Sequence, residues 1–107
     1  MGFIAGEVAI EIGAKVKPLY EAIKKRDADL ADQIYRATKS LVLNAPEGGK
    51  RGGKDRNYHF RIAAGSTAEL QAALRFAESW GFIEKNLELH ALIDRELALL
   101  WRLEHPR

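Results

Sequence analysis

Cysteine is missing from the 107-residue chain, which removes disulfides, thiolate zinc sites and thiol nucleophiles together and fits a reducing, cytoplasmic setting. Long apolar runs are missing too. No stretch approaches the roughly 18 residues needed to cross a bilayer. Met1 to Ile12 is apolar but broken by Glu7 and Glu11, with no basic leader and no small-residue cleavage site, so it is not expected to act as a secretory signal. Proline is sparse, and its two interior occurrences, Pro18 and Pro46, are each expected to disturb a helix. No segment reads as a strand. A chain of this length is expected to form one domain over residues 1–107, because it buries only about two-thirds of its unfolded surface.

Net charge is low, at +2, but unevenly spread. Residues 1–61 hold 12 Lys/Arg against 8 Asp/Glu, whereas residues 62–107 hold 5 against 7. Between residues 47 and 61, Lys50, Arg51, Lys54, Arg56 and Arg61 outnumber Glu47 and Asp55, with Tyr58 and His59 interleaved. Such a segment attracts phosphate, although solvated basic loops of this kind are also common in chains that bind nothing.

Four helices account for nearly the whole chain. The first is predicted from Ile4 to Arg26, with Val8, Ile12, Val16, Leu19 and Ile23 on one face and a kink or break between Ala14 and Pro18. Asp27 or Asp29 caps the second. Its stripe is Leu30, Ile34, Ala37, Leu41 and Asn44, and Pro46 is expected to end it at Asn44. Gly48, Gly49, Gly52 and Gly53 then make a loose loop until Asp55 caps the third helix, which carries Phe60, Ala63, Thr67, Leu70, Leu74 and Ala77 and stops at Gly81. From about Glu84 a last helix bears an apolar arc, Leu87 to Leu103, wider than one seam requires, which points to self-association.

The two central stripes fix a register. Antiparallel pairing sets Leu41 against Ala63, Ala37 against Thr67 and Ile34 against Leu70, with Ala64, Gly65 and Ser66 admitting the backbones. It also predicts an Arg36–Glu69 ion pair with Gln33 nearby. Polar residues on or beside a seam specify one alignment more than they stabilise it.

The combination of Gln33, Arg36, Ala37, Ser40, Asn44, Glu47 and Gly48 with Ala63, Gly65, Ser66, Glu69 and Leu70 resembles the signature of the bacterial four-helix-bundle proteins, the 23S rRNA-intervening sequence proteins. These are similar to the accessory proteins of diversity-generating retroelements, which bind nucleic acid and reverse transcriptase. The resemblance spans about Leu19 to Leu103. It implies an up-and-down antiparallel bundle assembled as a ring, commonly a homopentamer. One departure concerns the family's Asn-Ile-Ala-Glu-Gly, which here reads Asn44-Ala45-Pro46-Glu47-Gly48 and is expected to end the helix early and turn Glu47 aside.

No reaction is named by the residues. Gly48 to Asp55 reads G-x-x-x-x-G-K-D, without the Ser or Thr that holds magnesium and without a preceding strand, so it is not a nucleotide-cradling loop. The positions three before His59, His90 and His105 are Arg56, Leu87 and Arg102, which rules out the Glu-x-x-His pairs of di-iron bundles. His90 and Asp94 lie one turn apart, a spacing that suits zinc only with help from elsewhere. No metal or cofactor is expected. Without a serine beside a histidine or a spaced carboxylate pair, no enzyme is expected. The sequence reading is therefore a non-enzymatic, self-associating module whose Lys50, Arg51, Lys54, Arg56, Tyr58 and Arg61 contact RNA or DNA. Its alternative is a protein-binding scaffold.

Overall fold

The structure, a computed structural model, describes residues 3–106; the expectations touching Met1, Gly2 and Arg107 fall outside them. Four helices follow in order: α1 (Ile4–Lys24), α2 (Ala28–Lys50), α3 (Gly53–Ser79) and α4 (Leu87–Glu104). No strand occurs among the described residues. Each helix packs on its chain neighbours, and α1 also packs on α4, which closes an up-and-down bundle. The α2–α3 pairing is the most extensive, as the two sequence stripes require. The particle measures 42 × 23 × 21 Å.

Local chemistry sets most of the boundaries. Asp27 is the cap of α2, its carboxylate accepting from the Leu30 amide at 2.9 Å, and Asn86 does the same for Leu89 at the start of α4. At the end of α3, Gly81 adopts φ +75°, and the amides of Phe82 and Gly81 donate back to the carbonyls of Ala77 and Glu78 at 2.8 and 3.1 Å. Only a residue without Cβ takes that left-handed turn at no steric cost.

The interior is one contiguous apolar cluster. Leu30, Ile34, Ala37 and Leu41 of α2 are buried, as are Phe60, Ala63, Leu70, Leu74 and Ala77 of α3 together with Thr67. Thr67 satisfies its hydroxyl locally by donating to the Ala63 carbonyl at 2.7 Å. The expected register is supported by Ser66 Oγ donating to Ser40 Oγ at 2.7 Å across the seam, close to the proposed Ala37–Thr67 level.

Several expectations need correction. Pro18 sits inside α1 without breaking it; its ring faces solvent while Val16 and Ile23 hold the helix on both sides. Pro46 likewise lies inside α2, which continues six residues past Asn44 to Lys50. Buried Ala45 and Gly48 anchor that extension, and the proline ring packs beside Gly6, where a Cβ would lie 3.4 Å from Pro46 Cγ. Packing outweighs the missing backbone bond. The glycine-rich loop therefore shrinks to Arg51 and Gly52 between the two helices. Gly52, not Asp55, is the N-cap residue of α3, with no side-chain cap, and Asp55 lies in the first turn.

The Arg36–Glu69 ion pair does not form. Arg36 joins Asp32, one turn back on its own helix, at 3.2 Å, with both side chains at least 60% exposed. An exposed arginine with a carboxylate four residues away has little reason to reach across a seam. Glu69 instead shares a shallow groove with Gln33. Nor does Gly65 admit a neighbouring backbone, since a Cβ there would meet nothing within 4 Å. Leu99 and Leu103 of the wide α4 arc are half-buried on the core, leaving Leu87 and Trp101 as its exposed large residues.

Candidate nucleic-acid interface

The end of the bundle where α2 meets α3 collects most of the basic residues singled out in the sequence. Lys50, Arg51 and Lys54 are exposed around the two-residue connection, and Arg56 and Tyr58 follow on the first turns of α3. Because Gly52 has no side chain, the first amides of α3 are left uncapped and add positive potential to the same spot.

These cations are not equivalent. Arg51 donates from Nε and Nη2 to one carboxylate oxygen of Glu47, at 2.9 and 2.7 Å. That hydrogen bond, reinforced by the arginine charge, holds the Glu47 carboxyl below the usual carboxylate range. The extension of α2 through Pro46 is what sets Glu47 one turn from Arg51, so the expected displacement of Glu47 does not occur. Arg56 lies over the Phe60 ring, 4.8 Å from its centroid. Arg61 donates to Glu104 of α4 at 3.0 Å, which offsets its charge and removes it from the tip cluster. Lys50 and Lys54 have no ion pair among the described residues. Tyr58 is exposed, with its ring edge-on to His59, whereas Phe60 is wholly buried and belongs to the core.

Beneath the tip, the signature residues build a polar seam. Asn44 donates to the Ser40 carbonyl at 2.9 Å, and its Oδ1 lies 2.8 Å from His59 Nδ1, continuing the Ser40–Ser66 bond already described. With the amide nitrogen committed to Ser40, Asn44 presents an acceptor, so Nδ1 of His59 carries the proton. His59 was visible in the sequence only as a neighbour of basic residues; its partnership with Asn44 depends on the α2–α3 register. Ser40, Asn44 and Ser66 thus come together, while Gln33, Arg36 and Glu69 lie exposed farther along the same pair of helices. Gly48 contributes by absence, since a Cβ there would meet the Phe60 ring at 2.6 Å.

Two further groups lie outside the tip. His90 Nε2 is 2.7 Å from Glu78 Oε2, tying α4 to α3, and Asp94 accepts from Gln71 at 2.9 Å, so the His90–Asp94 spacing serves separate contacts. No cluster of three or more metal-ligating side chains occurs among the described residues. Glu96 was overlooked in the sequence although it continues the 4-3-4 spacing Leu89, Ile93, Glu96, Leu100. It is 0% exposed, and neither carboxylate oxygen has a hydrogen-bond partner. Burial pushes its pKa up to about 8, against a smaller opposing pull from Arg95.

No helix among the described residues is long and apolar enough to cross a membrane. No curated protein and no solved structure matches the chain significantly. The profile of the 23S rRNA-intervening sequence protein family matches residues 4–101, from the first turn of α1 to the last turns of α4, and includes the polar α2–α3 seam. With nearly all of the bundle inside that match, the chain belongs to the 23S rRNA-intervening sequence protein family.

Proposed function

We propose that this protein is a non-catalytic module that assembles with copies of itself and holds the phosphate backbone of RNA or DNA at its α2–α3 tip. The observation that carries the reading is the gathering of exposed Lys50 and Lys54 at the uncapped start of α3, with Arg56 and Tyr58 on the next turns. Lysines there neutralise phosphates, and an exposed tyrosine offers a face for stacking an unpaired base. Neither contact reads sequence, so binding is sequence-tolerant. Copies arranged as a ring, with five favoured by the resemblance, would repeat this weak contact and multiply it through avidity. A reverse transcriptase is a further partner suggested by the resemblance alone. A cytoplasmic setting is the companion proposal, supported by the cysteine-free composition.

The test is a titration of labelled single-stranded RNA and duplex DNA at two salt concentrations. Three to four phosphate contacts predict that affinity falls at least about tenfold between roughly 50 and 200 mM salt. Absence of binding at the lower salt would leave the scaffold reading, which the exposed aromatic groove between α1 and α2 favours.

A further inference from the structure

The outer side of the α1–α2 pair carries a groove of about 460 Å³ that the tip does not use. Its floor is Gly13, Val16 and Val42, and its walls are Tyr20, Tyr35 and Leu43. Gly13 helps make it, because a Cβ there would meet Val42 Cγ2 at 3.2 Å, so the helices approach closely and the large side chains stand out on either side. Lys17 and Lys39 line the rim on opposite helices, with Glu21 at one end.

The same chain holds a matching projection. Leu87, the first residue of α4, is 70% exposed, more than any other large apolar residue described. Exposed Glu84 and Glu88 flank it, and Lys85 lies beside it. An apolar knob edged by acids answers an apolar groove edged by lysines, and Lys85 answers Glu21.

The heights agree as well. Within one chain Glu88 pairs with Lys15 at 3.3 Å, so the start of α4 lies beside the middle of α1, the stretch that carries Gly13, Val16 and Lys17. Rotation of a copy about an axis parallel to the bundle changes no heights, so its Leu87 arrives opposite the groove of its neighbour. We infer that the α1–α2 groove is the seat for Leu87 of a second copy of this chain, joining copies head to tail. Leu87 lies with Arg75 and Glu78 on the α3–α4 side and the groove lies on the α1–α2 side, so a neighbour seated in the groove does not receive the contact back; the contact is heterologous, and a rotation that returns to its start closes it into a ring. This rests on the self-assembly proposed above and names the surfaces that carry it.

The experiment uses the full chain and its lack of cysteine. Leu43→Cys, in the groove wall, and Ala91→Cys, one turn beyond the knob, alter exposed positions. Each variant is oxidised alone and as a mixture, and the wild type is weighed in solution by sedimentation. The expected result is a wild-type mass several times the 12.0 kDa of one chain and a covalent two-chain band that is strong in the mixture and faint in either variant alone. Leu87→Lys should bring the mass down to a single chain while leaving the helical circular-dichroism signal intact. An oligomeric wild type whose mixture gives no extra band, or whose Ala91→Cys links to itself, overturns the groove assignment and leaves self-assembly standing. A monomeric wild type overturns both.

Discussion

Gly48 lies against the Phe60 ring so closely that a Cβ at residue 48 would sit 2.6 Å from both Cδ1 and Cε1 of that ring. The ring has nowhere to go. It is wholly buried, stacks on Phe3 at 5.9 Å between centroids and lies beneath the Arg56 guanidinium. Gly48→Ala gains up to about 1 kcal/mol of helix propensity. Overpacking a rigid core costs about 1–3 kcal/mol, so a net loss is expected. Thermal melting should show a fall of several degrees, and an unchanged or higher midpoint would contradict the close-approach role of this glycine.

Glu96 makes stability depend on pH in an unusual direction. Its carboxyl keeps a proton up to about pH 8 in the fold and releases it near the ordinary 4.5 in the unfolded chain. Between those values the folded state binds more protons, so this contribution is fully present below the unfolded pKa and is lost as pH rises to the folded one. Urea midpoints should therefore decline from about pH 5 to about pH 8. Glu96→Leu should flatten the decline and raise stability at the upper end by on the order of 3 kcal/mol. A wild-type profile that stays level across that range would show the carboxyl to be partnered.

The Ser40–Ser66 bond is measurable as a coupling. Ser40→Ala and Ser66→Ala each remove one partner of a half-buried pair, and the double variant should lose less than the sum of the two by about 0.5–1.5 kcal/mol. Strict additivity would mean that the two hydroxyls do not meet in solution. Asn44→Ala should cost about 1–2 kcal/mol, because it leaves the half-buried His59 Nδ1 unsatisfied.

The α2–α3 stripes were legible because four-three spacing of Ile34, Leu41, Leu70 and Leu74 allows only one buried face. Two helix ends were legible for a similar local reason, since Asp27 or Asp29 had to open α2 and Gly81 to close α3; the choice of Asp27 and the replacement of Asp55 by Gly52 at the start of α3 depend on where the backbone turns. Pro46 misled because its local preference is strong, while the contacts that override it come from Phe60, Gly6 and Phe3, distant in sequence. Arg36 misled in the opposite way, since Asp32 on its own helix was nearer than the partner chosen for it. At the tip, composition located the positive charge but not its distribution. That Arg51 and Arg61 answer carboxylates while Lys50 and Lys54 do not depends on where Glu47 and Glu104 come to rest. Glu96 was readable from spacing alone.

Whether the α2–α3 tip holds nucleic-acid backbone is decided by comparing wild type with a variant in which Lys50, Arg51, Lys54 and Arg56 are all replaced by glutamine. Fluorescence anisotropy with labelled single-stranded RNA at low salt should show binding by the wild type and a loss of on the order of tenfold or more in the variant, with a smaller dependence on salt and an unchanged circular-dichroism spectrum. Equal affinity and equal salt dependence in the two proteins would show that nucleic acid is not held at this tip.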